Sequence, residues 1–107
     1  MIDWDVSREL YKDIGSIKFA EILTAFQEEA AERVRDLNSP GRDMGYDLHM
    51  LKSVSLNMGF TEWAKLCDAG EDAVSSATYP VNLDDIRTCF DASNRAFTAG
   101  FDLQAAS

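Results

Sequence analysis

A chain of 107 residues is the size of one domain, 1–107, large enough to bury a core and too short for a second globular unit. Its 19 acidic residues against 10 basic ones give a formal charge of −9, which repels phosphate backbones and anionic lipid and argues against nucleic-acid and membrane partners. At 46% hydrophobic residues it is too apolar for a disordered acidic tail, and it is expected to fold alone, as a monomer.

The opening run Met1-Ile2-Asp3-Trp4-Asp5 has neither a basic n-region nor an apolar h-region, and no stretch approaches bilayer-spanning length; a cytoplasmic protein is expected. A short helix is predicted from Asp5 to Asp13, closed by Gly15, with Ser16 capping the next. From Ser16 to Leu37, the residues Phe19, Ile22, Leu23, Phe26, Ala30, Val34 and Leu37 recur at the spacing of one helical face, and Asn38-Ser39-Pro40-Gly41 supplies the loop that ends it. A third helix is expected to start near Arg42 with an apolar stripe of Met44, Leu48, Leu51, Ser55 and Met58. Asp47 falls at the edge of that stripe and must find a partner there. Gly59 reads as the stop and Thr61 as a new cap.

The fourth helix, about Glu62 to Ser76, is expected to bury Trp63, Leu66, Cys67, Gly70, Ala73 and Ala77 or their near neighbours, after which Tyr79-Pro80-Val81 breaks the chain. Asn82 and Asp85 resemble a capping box for a fifth helix marked by Leu83, Ile86, Phe90 and Phe97, with Phe101 near its end and a fraying tail from Gln104 to Ser107. Cys67 and Cys89 fall among apolar positions and read as plain buried thiols; with a single histidine they offer no conventional zinc site. No alternating β-rich run interrupts the helices. The expected fold class is all-α, an up-and-down antiparallel four-helix bundle with a short N-terminal capping helix.

On the wheel of the third helix His49 lies about 140° from the centre of the apolar stripe and so faces solvent. Gly45, Tyr46, Lys52, Ser53 and Leu56 surround it at offsets that bring side chains together. Leu56, with Phe60 just beyond, is expected to be exposed on an otherwise acidic molecule, which is what a docking face needs. Imidazole is the side chain that stays nucleophilic and titratable near neutral pH, and an exposed one can reach an acyl phosphate carried by another protein.

The run His49-Met50-Leu51-Lys52-Ser53-Val54-Ser55-Leu56-Asn57-Met58-Gly59 resembles the H-x-L-K-G-S-x-x-x-x-G signature of histidine-containing phosphotransfer (HPt) domains, and Leu66-Cys67 with Glu71 matches the family's downstream L-C-x-x-L-E. Ser53 stands where the family has glycine, Phe60 where it has a small residue, and Gly70 where it has an apolar one. The resemblance implies a phosphorelay intermediate of two-component signal transduction. It accepts a phosphoryl group on His49 and passes it on, with Lys52 neutralising phosphate charge and Gly45, Tyr46, Ser53, Leu56 and Phe60 forming the docking surface. Its implied partners are response regulator receiver domains and a hybrid sensor kinase. No cofactor is implied on this chain, Mg²⁺ belonging to the receiver. The chain carries no phosphate-binding glycine loop and no room for a nucleotide domain, so no kinase activity of its own is expected. A second interpretation stays open at this point: a non-catalytic HPt-like module that binds receivers or kinases without phosphoryl turnover, the Ser53 and Phe60 departures having removed the chemistry.

Overall fold

In a computed structural model, residues 2–77 and 80–106 are described, those after Phe101 by backbone alone. Four helices account for nearly all of them: α1 (Trp4–Asp36), α2 (Met44–Met58), α3 (Thr61–Ser76) and α4 (Leu83–Ala106). Each packs on two others, α1 on α2 and α4, and α3 on α2 and α4, so the contacts close into a ring around one core. The molecule measures 45 × 22 × 20 Å.

Five helices were expected, and α1 holds two of them: at Gly15 the backbone (φ 83°, ψ 169°) leaves the helical region, so α1 is two helical segments that meet at a kink where the sequence places the break. Along α1 the residues Phe19, Phe26, Ala30, Val34 and Leu37 are buried as the periodicity requires, but Ile22 stays partly exposed. The turn after α1 uses positive φ at Asn38 and Gly41. The expected start of α2 near Arg42 is corrected to Met44. Asp43 caps it by accepting the Tyr46 amide, which leaves Arg42 in the loop with its side chain free to pair elsewhere.

Gly59 ends α2 in the left-handed conformation, its amide bonding back to Leu56 and Ser55 carbonyls. No other residue fits, because a Cβ there would collide with the Asp3 carbonyl oxygen, where the N-terminal segment crosses the end of α2. The predicted cap at Thr61 moves to Phe60, which makes no side-chain cap bond. Gly70, the departure in the middle of α3, marks the close approach of three elements. A Cβ on it would meet Leu48 of α2 at 3.1 Å and Ile86 of α4 at 3.4 Å. In α3 Trp63, Ala64, Cys67, Gly70 and Ala73 are buried; Leu66 is half-buried and Ala77, past the helix end, is exposed, against expectation for both. The break at Tyr79 lies outside the described residues. Asn82 and Asp85 do form the capping box of α4: the Asp85 amide donates to Asn82 Oδ1 at 3.0 Å and Asn82 Nδ2 donates to Asp85 Oδ2 at 2.9 Å. α4 then runs beyond Phe101 to Ala106; Ser107 lies outside the described residues.

The core is aromatic. Trp63 is fully buried, tilts against Phe90 at 4.7 Å and satisfies its indole N–H on the Ile86 carbonyl at 3.0 Å. Phe60 packs edge-on against Phe26 at 5.0 Å and against Phe97 at 5.4 Å. Buried hydroxyls find carbonyls: Ser7 of α1 donates across to that of Met58 at the end of α2, and Ser55 to that of Lys52 within its own helix. Both cysteines are free, and burial pushes the Cys67 thiol up to about 12, which keeps it protonated and inert.

Candidate functional site

The outward face of α2 carries the residues that the wheel groups around His49. His49 is 55% exposed, Tyr46 and Leu56 are exposed, and Gly45, Lys52 and Ser53 are half-buried. Phe60 does not belong to this face. It has no exposed surface and sits at the centre of the aromatic core, so it is removed from the docking residues. The physical reason is Gly59, whose left-handed backbone reverses the chain and ends the helical phase on which the outward placement of Phe60 rested.

What the wheel of one helix does not show is the partner helix. From α3, Glu71 reaches across so that its Oε2 lies 2.9 Å from His49 Nδ1 and its Oε1 accepts from Lys52 Nζ at 2.8 Å. One turn earlier on α3, Asp68 Oδ1 accepts from the same ammonium at 3.1 Å. Four side chains thus form one network: a histidine and a lysine three residues apart on α2 face an aspartate and a glutamate three residues apart on α3. Glu71 and Lys52 are each 24% exposed, Asp68 and His49 each 55%, so the middle of the network is the more sheltered part.

The electrostatics fix the charge states. Hydrogen bonding from Lys52 holds the Glu71 carboxyl below its ordinary value, and the bonds to Glu71 and Asp68 hold the Lys52 ammonium above its own. Glu71 is therefore an anion beside His49 Nδ1, and the stable arrangement is an Nδ1–H donating to the carboxylate. The lone pair of the neutral ring is then on Nε2, which has no protein partner among the described residues. An oriented imidazole with an anionic orienter on one nitrogen and an open second nitrogen is the arrangement by which proteins prepare a histidine for chemistry.

The neighbours complete the description. Ser53 Oγ donates to the His49 carbonyl at 3.1 Å. A Cβ on Gly45 would meet Val74 Cγ1 of α3 at 3.4 Å, and Val74 is itself partly exposed, an apolar neighbour that the sequence pattern did not single out. On the inner side of α2, Asp47 is 2% exposed and takes Arg33 Nη1 at 2.9 Å and Arg42 Nη2 at 2.7 Å on one oxygen and Arg42 Nε at 3.1 Å on the other. The partner demanded of Asp47 is thus a pair of arginines. Among the described residues no His, Cys, Asp and Glu side chains group as a metal site, and no helix is long and apolar enough to cross a membrane. No known family, curated protein or solved structure matches this chain.

Proposed function

We propose that this chain is a histidine phosphotransfer protein of a two-component phosphorelay. It takes a phosphoryl group onto His49 from the aspartate of one receiver domain and passes it to another. The observation that carries this is the half-exposed His49 with Nδ1 held 2.9 Å from Glu71 and Nε2 open. The order of the pairs across α2 and α3, His49 with Glu71 and Lys52 with Asp68, is that of two antiparallel helices and supports an up-and-down bundle. The segment before Gly15 is its cap in this reading, supported by the Asp3 amide donating to the Gly59 carbonyl at the end of α2 at 2.7 Å.

The chemistry follows from the tautomer. The Nε2 lone pair attacks the phosphorus of a receiver aspartyl phosphate; the P–O bond breaks, its electron pair returning to the receiver carboxylate, and a P–N bond forms. The ring keeps its Nδ1 proton and its new positive charge faces the Glu71 carboxylate. In onward transfer a second receiver carboxylate attacks phosphorus, the P–N electron pair returns to Nε2, and the ring departs neutral. Lys52 offsets the charge of the phosphoryl oxygens. Tyr46, Gly45 and Leu56 offer the docking surface for receivers, which bring their own Mg²⁺. The carrier works as a cytoplasmic monomer and needs no nucleotide.

The test is label transfer from a set of phosphorylated receiver domains to the wild-type chain and to His49→Gln. Labelled wild type, with the label lost in acid and kept in base as a phosphoramidate requires, and an unlabelled but folded mutant are expected. Label on the mutant, or no label on the wild type from any receiver, overturns the proposal; a folded wild type that binds receivers unlabelled is the non-catalytic module.

A further inference from the structure

We propose that Asp68 sets the lifetime of a phosphoryl group on His49 by competing with it for the Lys52 ammonium. The inference rests on the phosphotransfer reading of His49. A phosphoryl group carries a charge of about −1.5 to −2 at neutral pH and needs a cation nearby. Lys52 is the cation that the network supplies, and it is already held by two carboxylates, at 2.8 Å by Glu71 and at 3.1 Å by Asp68.

The two carboxylates are not equivalent. Glu71 is committed at both oxygens, one to Lys52 and one to His49, and it is the more sheltered. Asp68 is 55% exposed, binds only the lysine within the network, and makes the longer bond. It is the bond that yields when the ammonium turns toward a phosphate. While the phosphoryl group is present, Asp68 withdraws Lys52 from it and adds a negative charge of its own nearby. Both effects weaken the phosphorylated state and leave the unphosphorylated network intact. In hydrolysis, water oxygen attacks phosphorus, the P–N bond breaks with its electron pair returning to Nε2, and the water protons stay on the released phosphate or pass to solvent; a phosphoryl group better neutralised by Lys52 loses less by staying. Asp68 therefore keeps His49 a relay point from which phosphate leaves readily, where a freed Lys52 would make it a store.

Potassium phosphoramidate, a small-molecule donor that phosphorylates histidine without a receiver, allows the test on the purified chain. The decay of phospho-His49 is followed by ³¹P NMR in wild type, Asp68→Asn, Asp68→Glu, and Asp91→Asn as an exposed control of equal charge change on α4. Asp68→Asn is expected to lengthen the lifetime by about two- to fivefold, the range of an exposed charge pair. Asp68→Glu should return it toward wild type, Asp91→Asn should leave it unchanged, and the lengthening should vanish in a Lys52→Ala background. An unchanged lifetime in Asp68→Asn overturns the inference, as does equal lengthening with Lys52 absent. Failure of the relay itself is seen separately: receivers that do not label a chain which phosphoramidate does label contradict the relay, while the lifetimes still decide the role of Asp68.

Discussion

Two ionic clusters sit on α2 only two residues apart, and they differ in what they leave unsatisfied. Around Asp47 the carboxylate is sealed from solvent and takes three hydrogen bonds from two arginines, Arg33 of α1 and Arg42 of the loop. That cluster is closed; it ties the loop and α1 to the start of α2. Around His49 the charges are also paired, but among the described residues one ring nitrogen has no partner and the outer carboxylate bonds only to Lys52. The same ingredients, charged side chains on facing elements, thus give a structural clamp where every valence is used inside and a candidate reactive site where one is not. Burial decides between them: a buried charge must be fully paired to be tolerated, whereas a half-exposed one can keep a vacancy for a ligand.

The largest effect expected from breaking this contrast is at the clamp. Asp47→Ala removes three charge-assisted bonds at once and should lower stability by about 2–3 kcal/mol, less than for a fully buried pair because both arginines can turn to water. A thermal melt of the variant checks this, and a melt matching wild type would show the cluster to be ornamental.

The exposed end of α2 gives the next effect. Replacing Leu56 by aspartate should weaken receiver binding by more than about tenfold, roughly 1.4 kcal/mol, while helicity and melting stay near wild type, since Leu56 is half exposed. Titration with a receiver and a melt on the same variant separate the outcomes: lost fold would place Leu56 in the core, and unchanged binding would place the docking surface elsewhere.

The smallest effect is the pH dependence of the open network. Glu71 titrates below its ordinary value of 4.5 in the folded chain, so its contribution to stability is complete above that value and is lost as pH falls through the depressed one. Lys52, raised above 10.5, contributes fully below that value and loses its contribution only as pH rises through the raised one. Melting temperatures of wild type and Glu71→Gln should therefore differ by a constant, small amount at neutral pH and converge in acid. A difference that grows in acid contradicts the assigned sign.

Much of this was legible in the sequence because α2 keeps a strict helical period: the same stripe that buries Leu48, Leu51, Ser55 and Met58 turns His49 outward and leaves Asp47 at the edge in need of a partner. That legibility stops where the period ends. Phe60, one residue beyond the left-handed Gly59, lies off the wheel that predicts it outward, and it is buried. The roles of Glu71 and Asp68 depend on how α3 lies against α2, a tertiary fact that no single-helix wheel contains. One signal was present all the same. Asp68 and Glu71 repeat on α3 the three-residue spacing of His49 and Lys52 on α2, with opposite charge. The break at Gly15 is legible as a glycine between two helical stretches, and the backbone leaves the helical region at that residue.

The central claim is that Glu71 fixes the His49 ring with its proton on Nδ1 and its lone pair on Nε2. Long-range ¹H–¹⁵N correlation of the single imidazole, recorded at alkaline pH where the ring is neutral, reads this directly. A protonated Nδ1 and an unprotonated Nε2 are expected, with the preference lost in Glu71→Ala. A proton on Nε2 in the wild type would contradict that claim.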